Sequence, residues 1–281
     1  MSEIAKFTGY DPKIEPRELL TASCIQFDYG NITCSSDMPP RKIREKFAKQ
    51  GWPLSQQMMS SCAGWATVHG GTVCNLLATG EFRAFFPTWT YKHARRRDGI
   101  RGDNGATIHN VVVSAKEDGL LPVDVDRNGK AEFIYNERDF EPNFPASAAE
   151  VAEKFQIKFS VELRSFEAIV NFIKSGSGAV IIGSGWGGVR PDAKGVVRSW
   201  SPGGGAHARS WCDVEEIDGE EVITECNSWS TEWAIKGFAF YTRKAVEQLL
   251  RDRWTVFIGI SDLEVENNVP KPRKIREFVK F

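Results

Sequence analysis

The order of elements along the chain predicts an α+β fold in two lobes, with helices first and a twisted antiparallel sheet after them. Two observations carry this. Between residues 38 and 122 apolar side chains recur at helical spacing, with stop signals at Gly80 and Gly119. From Leu120 onward the texture changes to short apolar runs separated by turns rich in Gly, Ser and Asn. A cleft between two such lobes is a usual place for a site.

Residues 1–37 have no sustained periodicity and contain Gly9, Pro12, Pro16 and Gly30, so they read as an irregular N-terminal arm, with a short strand expected at Ser23–Asp28. Pro39–Gly51 is basic and suits a short helix. Next comes a polar turn, Gln56 to Ser61, that runs into Cys62. Ser60 and Ser61 are good N-cap residues, and Ala63, Trp65, Ala66, Val68, Val73, Leu76 and Leu77 suit a buried helix ending at Gly80, although Gly70-Gly71 weakens its middle. An aromatic row, Phe85 to Tyr91, leads into the basic segment Lys92–Arg97 and a polar turn at Asp98–Gly105. Ala106–Gly119 reads as a third helix, apolar at Ile108, Val111, Val112 and Ala115. Beyond it, Ala146–Phe159 and Ser165–Ser175 look helical. Strands are expected at Gly178–Gly183, Val196–Trp200, Ala206–Val214, Glu221–Asn227 and Gly237–Thr242. The domain expectation is therefore an arm at 1–37, a main domain at 38–260 divided into a helical part at 38–122 and a β part at 123–260, and a basic tail at 261–281.

Composition narrows the function classes. Hydrophobic residues make up 41% and charged residues 26%, and the formal net charge is -1, which argues against a general nucleic-acid or acidic-membrane binder. No secretory-type start and no apolar run of membrane-spanning length is present, so the expected location is the cytoplasm. The six cysteines (24, 34, 62, 74, 212 and 226) form no Cys-x-x-Cys pair, and no metal or other cofactor is expected. Cys24 and Cys34 could pair only if their backbones approached.

The chemistry is concentrated around a few residues. A cysteine in the first turn of a helix is biased toward thiolate by unpaired backbone N–H groups and the positive end of the dipole. A nucleophile also needs a base, a group that holds the base, and donors for an oxyanion. Four histidines exist: 69, 93, 109 and 207. His69 lies about two turns, roughly 10 Å, along the Cys62 helix and cannot reach the thiol. His93 and His109 sit in helical segments without a supporting motif. His207 remains, in Gly-Gly-Gly-Ala-His-Ala at the entry to a strand. Asn227, in Cys-Asn-Ser-Trp-Ser, can accept the other ring N–H of His207, with Trp229 covering that bond from water. Gln56 is placed to share an oxyanion with the Cys62 backbone N–H.

Gln56-x5-Cys62, Gly205-Ala206-His207-Ala208 and Asn227-Ser228-Trp229, in that order, resemble the papain/cathepsin-like cysteine peptidases, in a divergent microbial or viral form. The Cys62 to His207 separation of 145 residues falls in that family's range of about 130–150, while Asn227, at 165, lies beyond it. Gly102-Asp103-Asn104-Gly105 is similar to the family's Gly/Asn-rich cleft wall. The resemblance implies the papain-like two-lobe fold, an endopeptidase acting on peptide or isopeptide bonds, Cys62, His207, Asn227 and Gln56 as the catalytic set, and Trp229, Asn104, Gly105 and Gly205 as supporting residues. It implies no cofactor or metal, and a peptide or protein as the partner. Met59 and Ala63 depart from the family's cysteine and tryptophan, and loss of that disulfide position suits a reducing compartment. Ser230 and Ala234 replace family glycines.

The alternative reading is a papain-fold structural or binding component of a larger particle, such as a virion, with its catalytic set unused. The repeated Pro-Arg-Lys-Ile-Arg-Glu at Pro40–Glu45 and Pro272–Glu277 fits an assembly partner engaged through the arm and the tail. A bacterial cell-wall Cys/His endopeptidase lacks the Asn-Ser-Trp element. The first 37 residues are short for an inhibitory pro-domain but sufficient for a plug.

Overall fold

The computed structural model describes residues 10, 40–50, 59–123, 139–187 and 189–263. The helical region holds α1 (Ile43–Gln50), α2 (Cys62–Thr79), α3 (Pro87–Asp98) and α4 (Ile108–Glu117). A short helix α5 (Ala148–Ala152) and a 3-10 turn (Glu153–Phe155) lead to β1 (Ile157–Glu162), α6 (Phe166–Lys174), β2 (Gly178–Gly185) and β3 (Val196–Val197). Then follow β4 (Ala206–Ile217), β5 (Glu220–Cys226), β6 (Phe238–Thr242), α7 (Arg243–Arg251) and β7 (Val256–Leu263). The strands form one sheet in the order β1-β7-β2-β4-β5-β6-β3, antiparallel except for the β3–β6 pair. This is the α+β arrangement expected from the sequence.

Helix α2 is buried along nearly its whole length because it lies across the sheet. Its two interior glycines have a packing reason: a Cβ at Gly70 would meet Ile260 Cδ1 at 2.8 Å, and one at Gly71 would meet Leu120 Cδ1 at 2.2 Å. The close approach of Ile260 on β7 and of Leu120 outweighs their low helix propensity. Gly80 caps the helix in the left-handed region (φ 74°), its N–H donating to Leu76 O. Leu77, expected in the core, is exposed at 38%.

The period-2 pleat sorts the sheet into two faces. Ala179, Ile181, Ala208, Cys212, Cys226, Phe238, Val256, Ile258 and Ile260 pack with α2 and the other helices of the first region. Val180, Ile182, Trp211, Ile223, Ala239, Tyr241 and Phe257 pack on the opposite face with α6 and α7. The β4–β5 register shifts between Trp211 and Asp213. That bulge changes the parity of β4, so Asp213 and Glu215 face α1 although they are odd-numbered like His207, which lies on the other side. Arg41 N–H donates to Asp213 (3.0 Å), the Arg41 guanidinium to Gly178 O and Cys212 O, and Arg44 pairs with Glu215 (3.2 Å). Two of the cations in the first Pro-Arg-Lys-Ile-Arg-Glu segment therefore fasten α1 to the sheet, leaving Lys42, Lys46 and Lys49 exposed. The second copy of that segment, the expected strand at Ser23–Asp28 and both Cys24 and Cys34 lie outside the described residues.

Two local expectations change. The end of the Ala146–Phe159 segment is strand rather than helix, since Phe159, Ser160 and Val161 pair with Ser261, Ile260 and Gly259. Val196–Trp200 contributes only two strand residues. No helix among the described residues is long and apolar enough to cross a membrane.

The core also contains a Cys–His contact, with Cys226 Sγ 3.4 Å from His69 Nδ1. Both residues are buried, and the His69 ring packs against Phe47 (5.8 Å) and Trp65 (5.2 Å). Burial pushes the His69 pKa down to about 3, only partly opposed by the Cys226 hydrogen bond, and burial raises the Cys226 thiol well above its ordinary value. Between an unfolded pKa of about 6.5 and the folded value the unfolded chain binds a proton that the folded chain does not, so this group's contribution is complete above about pH 6.5 and is lost as pH falls. Denaturant titrations of His69→Gln from pH 7.5 to 4 should show a shallower loss of stability than wild type; parallel slopes would exclude this account of His69. At Ala234 the backbone adopts φ 44°, a region L side chains disfavour. Ala234→Gly is expected to raise the unfolding free energy by about 1 kcal/mol in urea melts.

Candidate active site

Cys62 opens α2, where the first helical N–H groups have no acceptor within the helix. Ser61 occupies the N-cap position without a side-chain cap, contrary to expectation. The approach to the helix is held instead by Asp103, whose two carboxylate oxygens each accept from Ser60 N–H at 3.0 Å. Tyr91 O–H donates to Asp103 (2.7 Å), and Gly105 N–H donates to Tyr91 (3.0 Å). Asn104 donates to Arg101 O (2.7 Å) within the same loop, which Asp103 ties to the start of the cysteine helix.

His207 is on β4, and Asn227 follows directly after the end of β5. His207 Nε2 lies 2.8 Å from Asn227 Oδ1, and both residues are wholly buried. An amide oxygen only accepts, so Nε2 carries the hydrogen and Nδ1 the lone pair of the neutral ring. Nδ1 is buried and has no hydrogen-bond partner among the described residues. The next residue, Ala208, donates its N–H to Cys62 Sγ at 3.4 Å, which places the sulfur against the backbone of β4 one residue after His207. Cys62 is itself fully buried. Burial, with a smaller contribution from nearby Arg209, pushes the His207 pKa down to about 3 against the opposing Asn227 hydrogen bond.

Trp229 stacks on the His207 ring with centroids 4.4 Å apart and planes 23° apart. Trp186 meets both edge-on, 5.3 Å from His207 and 4.5 Å from Trp229, and its N–H donates to Gly205 O at 2.7 Å. Gly205 thus joins the loop before β4 to the aromatic cover. Cys62, His207, Asn227 and Trp229 are brought together; Gln56 lies outside the described residues.

Three features of the site were not anticipated. Trp186 had no motif to mark it. Arg209 and Glu225 form a fully buried ion pair (2.8 Å) directly beneath His207 and Asn227. A charged residue two positions from each site residue on a strand was the available signal, since i and i+2 share a face. The third is Tyr10, from the expected arm, which is 3% exposed and donates to Trp254 O at 3.4 Å. A Cβ on Gly183 would come within 2.7 Å of the Tyr10 ring and 2.8 Å of Ile108 Cγ1, so only glycine leaves space for that ring. Gly183 pairs with Ala208, the residue whose N–H reaches the Cys62 thiol.

Cys62, Cys74, Cys212 and Cys226 are buried thiols rather than disulfides. Among the described residues no group of three His, Cys, Asp or Glu is arranged to hold a metal ion.

No protein-family model matches this chain, and no curated protein matches it by sequence. Solved structures do match. Xylellain, a cysteine protease from Xylella fastidiosa, superposes with a TM-score of 0.57 at 14% identity, covering 91% of this chain and 96% of its own. A procathepsin B from Trypanosoma congolense gives 0.63 at 12% identity, covering 93% and 88%. The ragweed pollen cysteine protease Amb a 11, in its proform, gives 0.60 at 17% identity, covering 84% and 68%. With helices preceding an antiparallel sheet and these superpositions spanning most of the chain, the protein is a divergent member of the papain fold.

Proposed function

We propose that this protein is a cysteine peptidase that cleaves peptide or isopeptide bonds with Cys62 as nucleophile. The observation that carries the reading is the polarity of the His207–Asn227 bond, which leaves the His207 Nδ1 lone pair unused, beside a strand whose N–H holds the Cys62 sulfur. In the reaction His207 Nδ1 takes the thiol proton as sulfur attacks the carbonyl carbon, then gives it to the leaving amine as the tetrahedral intermediate collapses to a thioester. Water, deprotonated by the same nitrogen, hydrolyses the thioester and regenerates the thiol. The Cys62 backbone N–H and Gln56 are assigned to the oxyanion. Asn227 keeps the ring in its tautomer, and the stacked Trp229 keeps water from that bond.

The Cys226–His69 contact is a second Cys–His pair, but its surroundings disfavour catalysis. Among the described residues no amide orients the His69 ring and its buried Nε2 has no partner, and burial raises the thiol pKa. It is assigned to the core.

The full burial of Cys62 and His207 favours one further element of the reading, a closed resting form in which Tyr10 is seated between Gly183 and Ile108. Tyr10 must leave that position for a substrate to enter, as a plug would. Full burial is also what favours the alternative of a structural or binding component whose catalytic set is unused, for which a cytoplasmic location or incorporation in a particle are both suitable settings.

Mass-spectrometric mapping after a peptidyl epoxide should find Cys62 modified ahead of Cys74, Cys212 and Cys226, and Cys62→Ala and His207→Ala should abolish cleavage of a peptide library. Preferential labelling of Cys226 would transfer the reading to the His69 pair, and wild-type cleavage by Cys62→Ala would end it. Tyr10→Ala should speed labelling of Cys62, by about 10-fold for each 1.4 kcal/mol taken from the closed form; an unchanged rate would remove the arm from the account.

A further inference from the structure

We infer that the buried Arg209–Glu225 pair is a positioning device that sets the proton polarity of the site, an inference that rests on the catalytic reading of Cys62, His207 and Asn227. An asparagine amide has nearly the same shape either way round, so something must decide which end faces the histidine. Glu225 does this from the strand position two residues before Asn227, on the same face. Its Oε1 lies 3.3 Å from Asn227 Nδ2. An ionised carboxylate only accepts, so it must receive the NH2 end, and Oδ1 then turns to His207. Ser228 N–H, donating to Oδ1 at 2.6 Å, works in the same sense. With Oδ1 facing Nε2, the ring hydrogen resides on Nε2 and Nδ1 is left as the base.

The carboxylate must stay ionised for this logic to hold, and burial opposes that by raising the Glu225 pKa. Arg209 supplies the counter-charge. Its Nε donates to Glu225 Oε2 at 2.8 Å, and Trp211 Nε1 is 3.3 Å from the same oxygen. The other side of the guanidinium donates to Ser184 Oγ (2.7 Å) and to the His207 carbonyl (3.2 Å), and its carbon lies 4.8 Å from the Trp186 ring centroid. One arginine therefore holds the carboxylate, the backbone of the base and the aromatic cover in a single arrangement. The pair is wholly buried, where its desolvation makes it a poor source of net stability. A role in orientation accounts for its position under the two residues it touches.

The test uses the full-length chain with 15N-labelled histidine and the rate of Cys62 alkylation. In wild type the His207 nitrogens should report a neutral ring protonated on Nε2. Glu225→Gln, which can present either end of an amide to Asn227, is expected to give a mixture of tautomers and to slow Cys62 alkylation about 10-fold or more, within the roughly 10⁴-fold that a wrongly held tautomer costs in a serine triad. Because that substitution strands Arg209, a second variant, Arg209→Met with Glu225→Leu, removes both charges with apolar residues that such sites often accept. It should fold cooperatively yet show the same mixed ring signature and slowed alkylation. A folded double variant with the Nε2-protonated ring and the wild-type alkylation rate would overturn the inference. If instead Cys62 were unreactive in wild type while the ring signature still changed in both variants, the catalytic reading would fail and the positioning role would stand.

Discussion

The structure depends on strand β4 presenting opposite faces to two different environments. Its Ala208 and Cys212 side chains lie against the helical region. Its His207, Arg209 and Trp211 side chains turn to the other face, toward Trp186, Glu225 and Tyr241. Since consecutive residues of a strand point to opposite sides, the backbone N–H of Ala208 can meet the Cys62 sulfur while the neighbouring imidazole is held by Asn227, just past the end of β5. A one-residue slip of β4 would place the imidazole in the helical core and remove the site altogether.

The bulge between Trp211 and Asp213 extends this constraint along the strand. Without the change of parity, Asp213 and Glu215 would turn away from α1, and the salt bridges from Arg41 and Arg44 would not form. The same strand therefore orders the base at one end and docks the first helix at the other. The two histidines with strongly lowered pKa values, His69 and His207, lie on the two sides of the sheet and illustrate how different the outcomes of burial are. His69 is a ring within an aromatic core. His207 has one nitrogen fixed by an amide and the other unpartnered, which is the arrangement a base requires.

Much of the fold was legible because helical and strand periodicities differ along the chain. The helix at Cys62, its end at Gly80, the helix before Gly119 and the central strands all follow from local pattern. Cys62, His207 and Asn227 stood out as candidates because the residues flanking them resemble a known family's motifs. The missed elements have physical reasons. Helix α7 is a short segment in which charged residues alternate with apolar ones, and the apolar run of β7 has meaning only as the partner of β1 and β2, far away in sequence. Ile157 to Phe159 end a segment that reads as helical in sequence, but the edge of β7 recruits them into the sheet.

By itself, the sequence determined the element order, the positions of the thiol, imidazole and amide, and the departures from family glycines at Ser230 and Ala234, which retain the left-handed backbone at φ 82° and 44°. These are local properties of residue type and spacing. Only the tertiary structure decided that Tyr10 sits beside Gly183, that His69 meets Cys226, and that Arg209 pairs with Glu225 beneath the site. Each of those contacts joins residues from different elements, and its existence depends on register and on which face of a strand is buried. Periodicity marks a face as buried; the partner it meets is set by how the chain closes on itself.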